Sequence, residues 1–206
     1  MSLGLSRANL AARTLRVLQH GRRRNPDVYL VRSDAGPVVV KDFAPRGLLM
    51  RAWLGPWLQR RELRAYRALA GHPAIPRCLG AVDALALVVE YRPGRRMSRK
   101  LAGRIPADFV DAMAAAVGSM HERGVAHLDL RHRSNVLVDE GGRPVLLDFA
   151  SAVCVRPGGA AARWLLPVLA WFDRRALAKW RVRLEPQPVP GAEGASASGR
   201  GASRPT

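Results

Sequence analysis

The segments His127-Leu128-Asp129-Leu130 and Leu146-Leu147-Asp148-Phe149 each set a carboxylate beside an apolar run, in a chain with only 16 acidic residues among 206. Asn135 lies between them. A carboxylate held against apolar segments is costly unless a cation meets it. With 34 Lys+Arg in the chain, that cation can be an arginine. It can also be a divalent ion carrying phosphate, for which carboxylate and amide oxygens are suitable hard ligands. Upstream, Lys41 closes an apolar segment and Glu62 follows on a helical one. Taken singly, each has an ordinary reading: a strand-edge guard for Lys41, a surface ion pair for Glu62, and turn or cap aspartates for the other two. Two observations favour chemistry. The chain uses three lysines against 31 arginines yet places lysine at 41, and a compact ammonium suits a point contact to phosphate. The two aspartates also flank one short hairpin.

The elements that must position these groups follow from periodicity and punctuation. Residues 6–20 read as an amphipathic helix. "DVYLVRSDAGPVVVKDF" reads as two strands joined at Ser33-Asp34-Ala35-Gly36, with Lys41 near the end of the second. Residues 46–70 read as helical with an interruption at Gly55-Pro56, which puts Glu62 on the second part. "ALALVVEY" is a buried strand ending at Glu90 and Tyr91, and "RPGRR" is a turn. A helix begins near Pro106, lines one face with Phe109, Val110, Met113, Val117 and Met120, and stops at Gly124. "NVLVD" and "RPVLLDF" are short strands around Glu140-Gly141-Gly142, which should hold Asn135 and Asp148 at one end. A last basic helix spans about 160–183, and the Pro/Gly/Ser-rich residues from 185 read as disordered.

Composition limits the classes. The hydrophobic fraction of 48% suits a globular core, while a net charge of +18 favours polyanionic partners or reflects an arginine-rich compositional bias. No aromatic platform or helix-turn-helix accompanies the charge, so nucleic acid is not an expected partner. Cys78 and Cys154 have no metal spacing, which points to a reduced, cytoplasmic setting. The apolar run at 164–172 is too short to span a bilayer. His20, His72 and His121 read as caps or surface residues; His132 has the same ordinary reading, with contact to substrate as the alternative because it lies in the Asp129 loop. Residues 46–61 interleave Arg46, Arg51, Arg60 and Arg61 with Trp53 and Trp57. That pattern fits either an interfacial helix on an anionic membrane or a helix packed on its own lobe.

In this order, the pieces over residues 27 to 152 resemble the protein-kinase fold. The resemblance implies an α+β, two-lobed protein-kinase-like fold with a truncated C-terminal lobe. A basic helix (1–24) precedes a small lobe (25–92), a large lobe (93–184) and a tail (185–206). It implies ATP and Mg²⁺ as cofactors: Lys41 and Glu62 paired to hold phosphate, and Asp129 orienting an acceptor hydroxyl. Asn135 and Asp148 would bind Mg²⁺, and Glu90 and Tyr91 would face adenine. The departures are specific. Five residues separate Asp129 from Asn135, Leu128 replaces an arginine, and Asp-Phe-Gly has become Asp148-Phe149-Ala150. No Gly-rich loop precedes Lys41; Arg22, Arg23 and Arg24 occupy its place. The short pattern is similar to RIO-type kinases and to bacterial lipopolysaccharide-core kinases. The expected activity is transfer of phosphate to a sugar or glycolipid hydroxyl at the inner membrane face. The alternatives are a RIO-like serine/threonine protein kinase and a nucleotide-binding scaffold without transfer activity.

Overall fold

The computed structural model describes residues 3–184. The tail at 185–206 lies outside the described residues. In chain order the elements are α1 (Leu10–Arg13), β1 (Thr14–Gln19), β2 (Asp27–Ser33), β3 (Gly36–Asp42), α2 (Gly55–Ala68), β4 (Cys78–Asp83) and β5 (Ala86–Glu90). There follow β6 (Arg95–Arg96), α3 (Phe109–Glu122), β7 (Val125–Ala126), β8 (Val136–Val138), β9 (Pro144–Leu146), β10 (Val153–Cys154) and α4 (Ala160–Leu184). The architecture is α+β.

A five-stranded antiparallel sheet, ordered β1-β2-β3-β5-β4, forms one part. The turn between β2 and β3 closes because Gly36 takes φ 104°, a region glycine enters without steric cost. The Ser33 hydroxyl accepts from the Ala35 amide and donates to the Gly36 carbonyl. Alternation along β3 then decides two faces. Val38 and Val40 pack with Val31, Ala86 and Val88 in a small cluster, while Val39 packs against the main core. Lys41 falls on the Val39 side, paired across the ladder with Leu87.

Residues 6–20 do not form the expected helix. One turn of helix gives way at Thr14 to strand β1, which pairs antiparallel with β2. Thr14 and Val17 are β-branched, and ladder hydrogen bonds to β2 satisfy a backbone that an isolated short helix holds only marginally. The strand at Cys78–Asp83 forms the other sheet edge; its Gly80 and alanine content gave it little strand signal. At Gly55-Pro56 the helix changes type without breaking. A π-helical turn, Met50–Leu54, ends where the Gly55 amide donates to the Met50 carbonyl, and α2 proceeds with Pro56 in its first turn. Proline lacks the amide that a regular turn would use there.

The second part centres on α3, whose Phe109, Val110, Met113, Val117 and Met120 are all buried in the main core. Gly124 ends it at φ 76°. α4 packs on α3 and β7, with Ala170, Asp173, Ala176, Leu177 and Trp180 turned inward. It therefore supports the helical part. The Trp180 indole donates to the Leu130 carbonyl at 2.8 Å, tying α4 to the loop that carries Asp129.

Candidate active site

The sheet and the helical part enclose a cleft of about 700 Å³. Val28, Val39, Leu137 and Val89 form apolar walls, and Lys41, Asp129, Asn135 and Asp148 share the same space. Lys41 Nζ lies 2.6 Å from Glu62 Oε1 and 2.7 Å from Asp148 Oδ1. Burial pulls the Lys41 ammonium down, but the charges of Asp148 and Glu62 more than offset this and leave it above its ordinary value. Asp148 is lowered by the Lys41 charge against the opposing effect of burial. Glu62 is raised by burial, with Lys41 opposing. The ammonium thus stays charged where it sits, with Glu62 behind it and Asp148, whose side chain is 46% exposed, on the cleft side.

Asp148 adopts a left-handed backbone, φ 65°. This is uncommon for a residue with a side chain and marks a position held by its surroundings. Phe149 does much of the holding. It is buried, with its ring 5.2 Å from Tyr66 on α2 and 4.8 Å from His127. Leu128 is the other non-glycine residue with positive φ among those described, at 67°. Of these two strained positions, Leu128 precedes Asp129, which lines the cleft, and Asp148 lines it directly.

The loop from His127 to Asn135 is fixed from behind by Asp173, which the sequence reading missed. This carboxylate, in the middle of α4 and buried, accepts from the amides of His127 and Leu128 at 2.8 Å each and from His121 Nε2 at 2.9 Å. A signal existed: Asp173 is the one acid of a strongly basic amphipathic helix, and it falls on the apolar face. His121 is accordingly no simple cap, and His72, read as a cap or surface residue, is buried. His127 Nε2 donates to the Leu147 carbonyl, while Nδ1 accepts from the Asp129 amide. That pairing requires the neutral ring, and burial pushes His127 below its usual value in agreement.

Despite the extra residue in the loop, Asn135 reaches Asp129. A 3₁₀ turn at Arg133–Asn135 takes up the length. Asn135 Nδ2 then donates to both the Asp129 carbonyl and Asp129 Oδ2 at 3.0 Å. Its amide hydrogens being used in this way, Asn135 Oδ1 is left as an acceptor, met by the Ser134 hydroxyl at 3.0 Å. The Leu147 amide donates to the Asn135 carbonyl at 2.8 Å, which extends the β8–β9 pairing by one step and brings Asp148, the next residue, to the same end as Asn135. Asn135 Oδ1 and the Asp148 carboxylate are hard oxygens beside one cleft, a donor set that fits Mg²⁺ completing its shell with water and phosphate.

At the opposite end, Glu90, Tyr91 and Arg92 line the cleft where β5 leaves the sheet. The Glu90 carboxylate is occupied by the Arg77 amide at 3.0 Å and by Arg92 Nε at 3.2 Å, so this side chain braces the connection. Arg24 and Asn25 line the cleft from the β1–β2 loop, whereas Arg22 and Arg23 border a separate depression with them. Asp27 fixes that loop: its carboxylate accepts from the Gly21 amide at 2.7 Å and pairs with Arg46. His132 lines the cleft, 3.4 Å from Asp129. Arg46 and Arg61 are not the free surface charges that the interfacial reading of 46–61 required. Arg61 donates to the carbonyls of Ala152 and Ser151 at 2.9 and 2.7 Å.

The phosphotransferase enzyme family (APH) matches residues 14–134, a stretch that includes Lys41, Glu62, Glu90 and Asp129. Two rice (Oryza sativa subsp. japonica) proteins are similar. CBL-interacting protein kinase 16 is 37% identical over 101 residues, covering 45% of this chain and 22% of the relative. CBL-interacting protein kinase 19 is 34% identical over 143 residues, covering 65% of this chain and 27% of the relative. The chain spans about a quarter of the length of these relatives. The family match runs through more than half of the chain, from the first strand of the sheet to the loop behind Asp129, and on that ground this protein belongs to the phosphotransferase enzyme family.

Proposed function

We propose that the protein is an ATP- and Mg²⁺-dependent phosphotransferase with a hydroxyl acceptor. The favoured acceptor is a lipopolysaccharide-core sugar or another glycolipid at the cytoplasmic face of the inner membrane. The observation that carries the reading is the Lys41 ammonium bridging Glu62 and Asp148 in a cleft that also holds Asp129 and Asn135. ATP brings about four negative charges, and one ammonium with a divalent ion offsets most of them. Lys41 holds phosphate oxygens, oriented by Glu62 from behind. Arg24 supplies the second positive group that a Gly-rich loop would replace with backbone amides. Asn135 and Asp148 would hold Mg²⁺, which supplies charge neutralisation at the transferring phosphate. Asp129 accepts the proton of the acceptor hydroxyl, its carboxylate steered by Asn135 Nδ2. The base of ATP enters between Val28, Val39 and Leu137, with Glu90 and Tyr91 at the edge.

The glycolipid acceptor is supported by the basic charge and by exposed Trp53 and Trp57. No described helix is long and apolar enough to cross a membrane, so the contact would be peripheral. A protein acceptor is the second reading, favoured by the similarity to the two rice protein kinases. The test is incubation with Mg²⁺ and labelled ATP against lipopolysaccharide-core glycolipids and generic protein substrates. Label on the glycolipid supports the first reading and label on protein the second. No transfer with intact ATP binding would leave a nucleotide-binding scaffold.

A further inference from the structure

α4 has two unlike sides. Ala170, Asp173, Ala176, Leu177, Trp180 and Leu184 are buried against the helical core. Half a turn away, Trp164, Val168, Trp171, Phe172 and Val182 are 76, 57, 46, 52 and 65% exposed. With 3.6 residues per turn these fall on one stripe along the helix. Large apolar side chains gathered in this way on a surface mark a contact.

Charge identifies the occupant. The exposed ionisable residues of α4 are Arg163, Arg174, Arg175, Lys179, Arg181 and Arg183, while its single acid, Asp173, faces inward. Arg181 is paired with Asp111, and the Arg175 guanidinium lies 4.7 Å over the Trp171 ring. A second copy on this face would set arginines against arginines, which is unfavourable. Tryptophan flanked by arginine suits the headgroup boundary of a lipid bilayer instead. The indoles sit among the upper acyl carbons while the guanidiniums reach phosphate. The helix is too charged to span, so it lies in the plane.

We propose that the outward face of α4 is a docking surface for a bilayer containing anionic phospholipid. This rests on the burial and charge of one helix and does not depend on the kinase reading. The test is cosedimentation of the full chain with vesicles of phosphatidylcholine alone or mixed with phosphatidylglycerol. Binding is expected only to the mixed vesicles, with the affinity of a W164S/W171S/F172S variant reduced about tenfold or more. The ATP–Mg²⁺ thermal shift of the same variant shows whether it is folded and reports separately on the kinase reading. Three results overturn the proposal: no binding by the wild type, equal binding by a folded variant, or loss only when Trp53 and Trp57 are replaced. A variant that fails to fold is replaced by R163Q/R175Q/K179Q, which must bind more weakly at low salt. Equal binding by that charge variant overturns the anionic requirement.

Discussion

At the scale of single residues, the proposed mechanism separates groups that would hold nucleotide from one that would handle the acceptor. Asp129→Asn keeps the size and the contact with Asn135 but removes the base. Turnover should fall about 10²-fold or more with nucleotide affinity nearly unchanged. Steady-state kinetics beside ATP titration checks this, and equal turnover would remove Asp129 from the mechanism. Asp148→Ala removes a hard oxygen and the second anionic neighbour of Lys41. The thermal stabilisation given by ATP with Mg²⁺ should then disappear. A retained Mg²⁺-dependent shift would mean that the ion is held elsewhere.

At the scale of elements, α4 and the end of α3 hold the loop that carries Asp129. Asp173→Ala leaves the buried amide of His127 and the half-buried amide of Leu128 without their acceptor. A loss of about 3 kcal/mol or more is expected. Because Lys41 and Glu62 lie outside this network, kcat should drop more than the KM for ATP rises. Equal effects on both would show a general loss of folding and not a misplaced loop. Gly124 has a different role. It needs φ 76°, and a Cβ added there would stand 2.2 Å from the Val155 carbonyl. Gly124→Ala should lower stability by about 1–3 kcal/mol, read as a fall in Tm, while the folded fraction still binds ATP.

At the scale of the whole molecule, buried neutral histidines give stability a pH dependence. Burial pushes both His72 and His127 below their usual value. The unfolded chain takes up these protons as pH falls through about 6.5, while the folded chain resists. Stability is therefore full above that pH and is lost as pH falls toward the folded values. Tm should decline between about pH 7 and pH 5.5. Replacing His72 with Gln should lower Tm at neutral pH but flatten part of the slope; a Tm that does not change over this range would contradict the assignment.

Much of the site was legible in the chain because its parts are local. A lysine on an alternating strand, a glutamate on a periodic helix and two aspartates flanking a hairpin all follow from spacing. So did the turn at Gly36, the buried face of α3 and its stop at Gly124. What lay outside the sequence reading depends on partners far along the chain. Thr14–Gln19 becomes a strand only because β2 offers an edge. Asp173 finds its two amides 45 and 46 positions away. Arg46 and Arg61, read as surface charges, are drawn inward by Asp27 and by the carbonyls of residues 151 and 152. Local periodicity sets which face of an element is apolar; tertiary packing decides which buried polar groups find partners, because an unpaired one is too costly to keep.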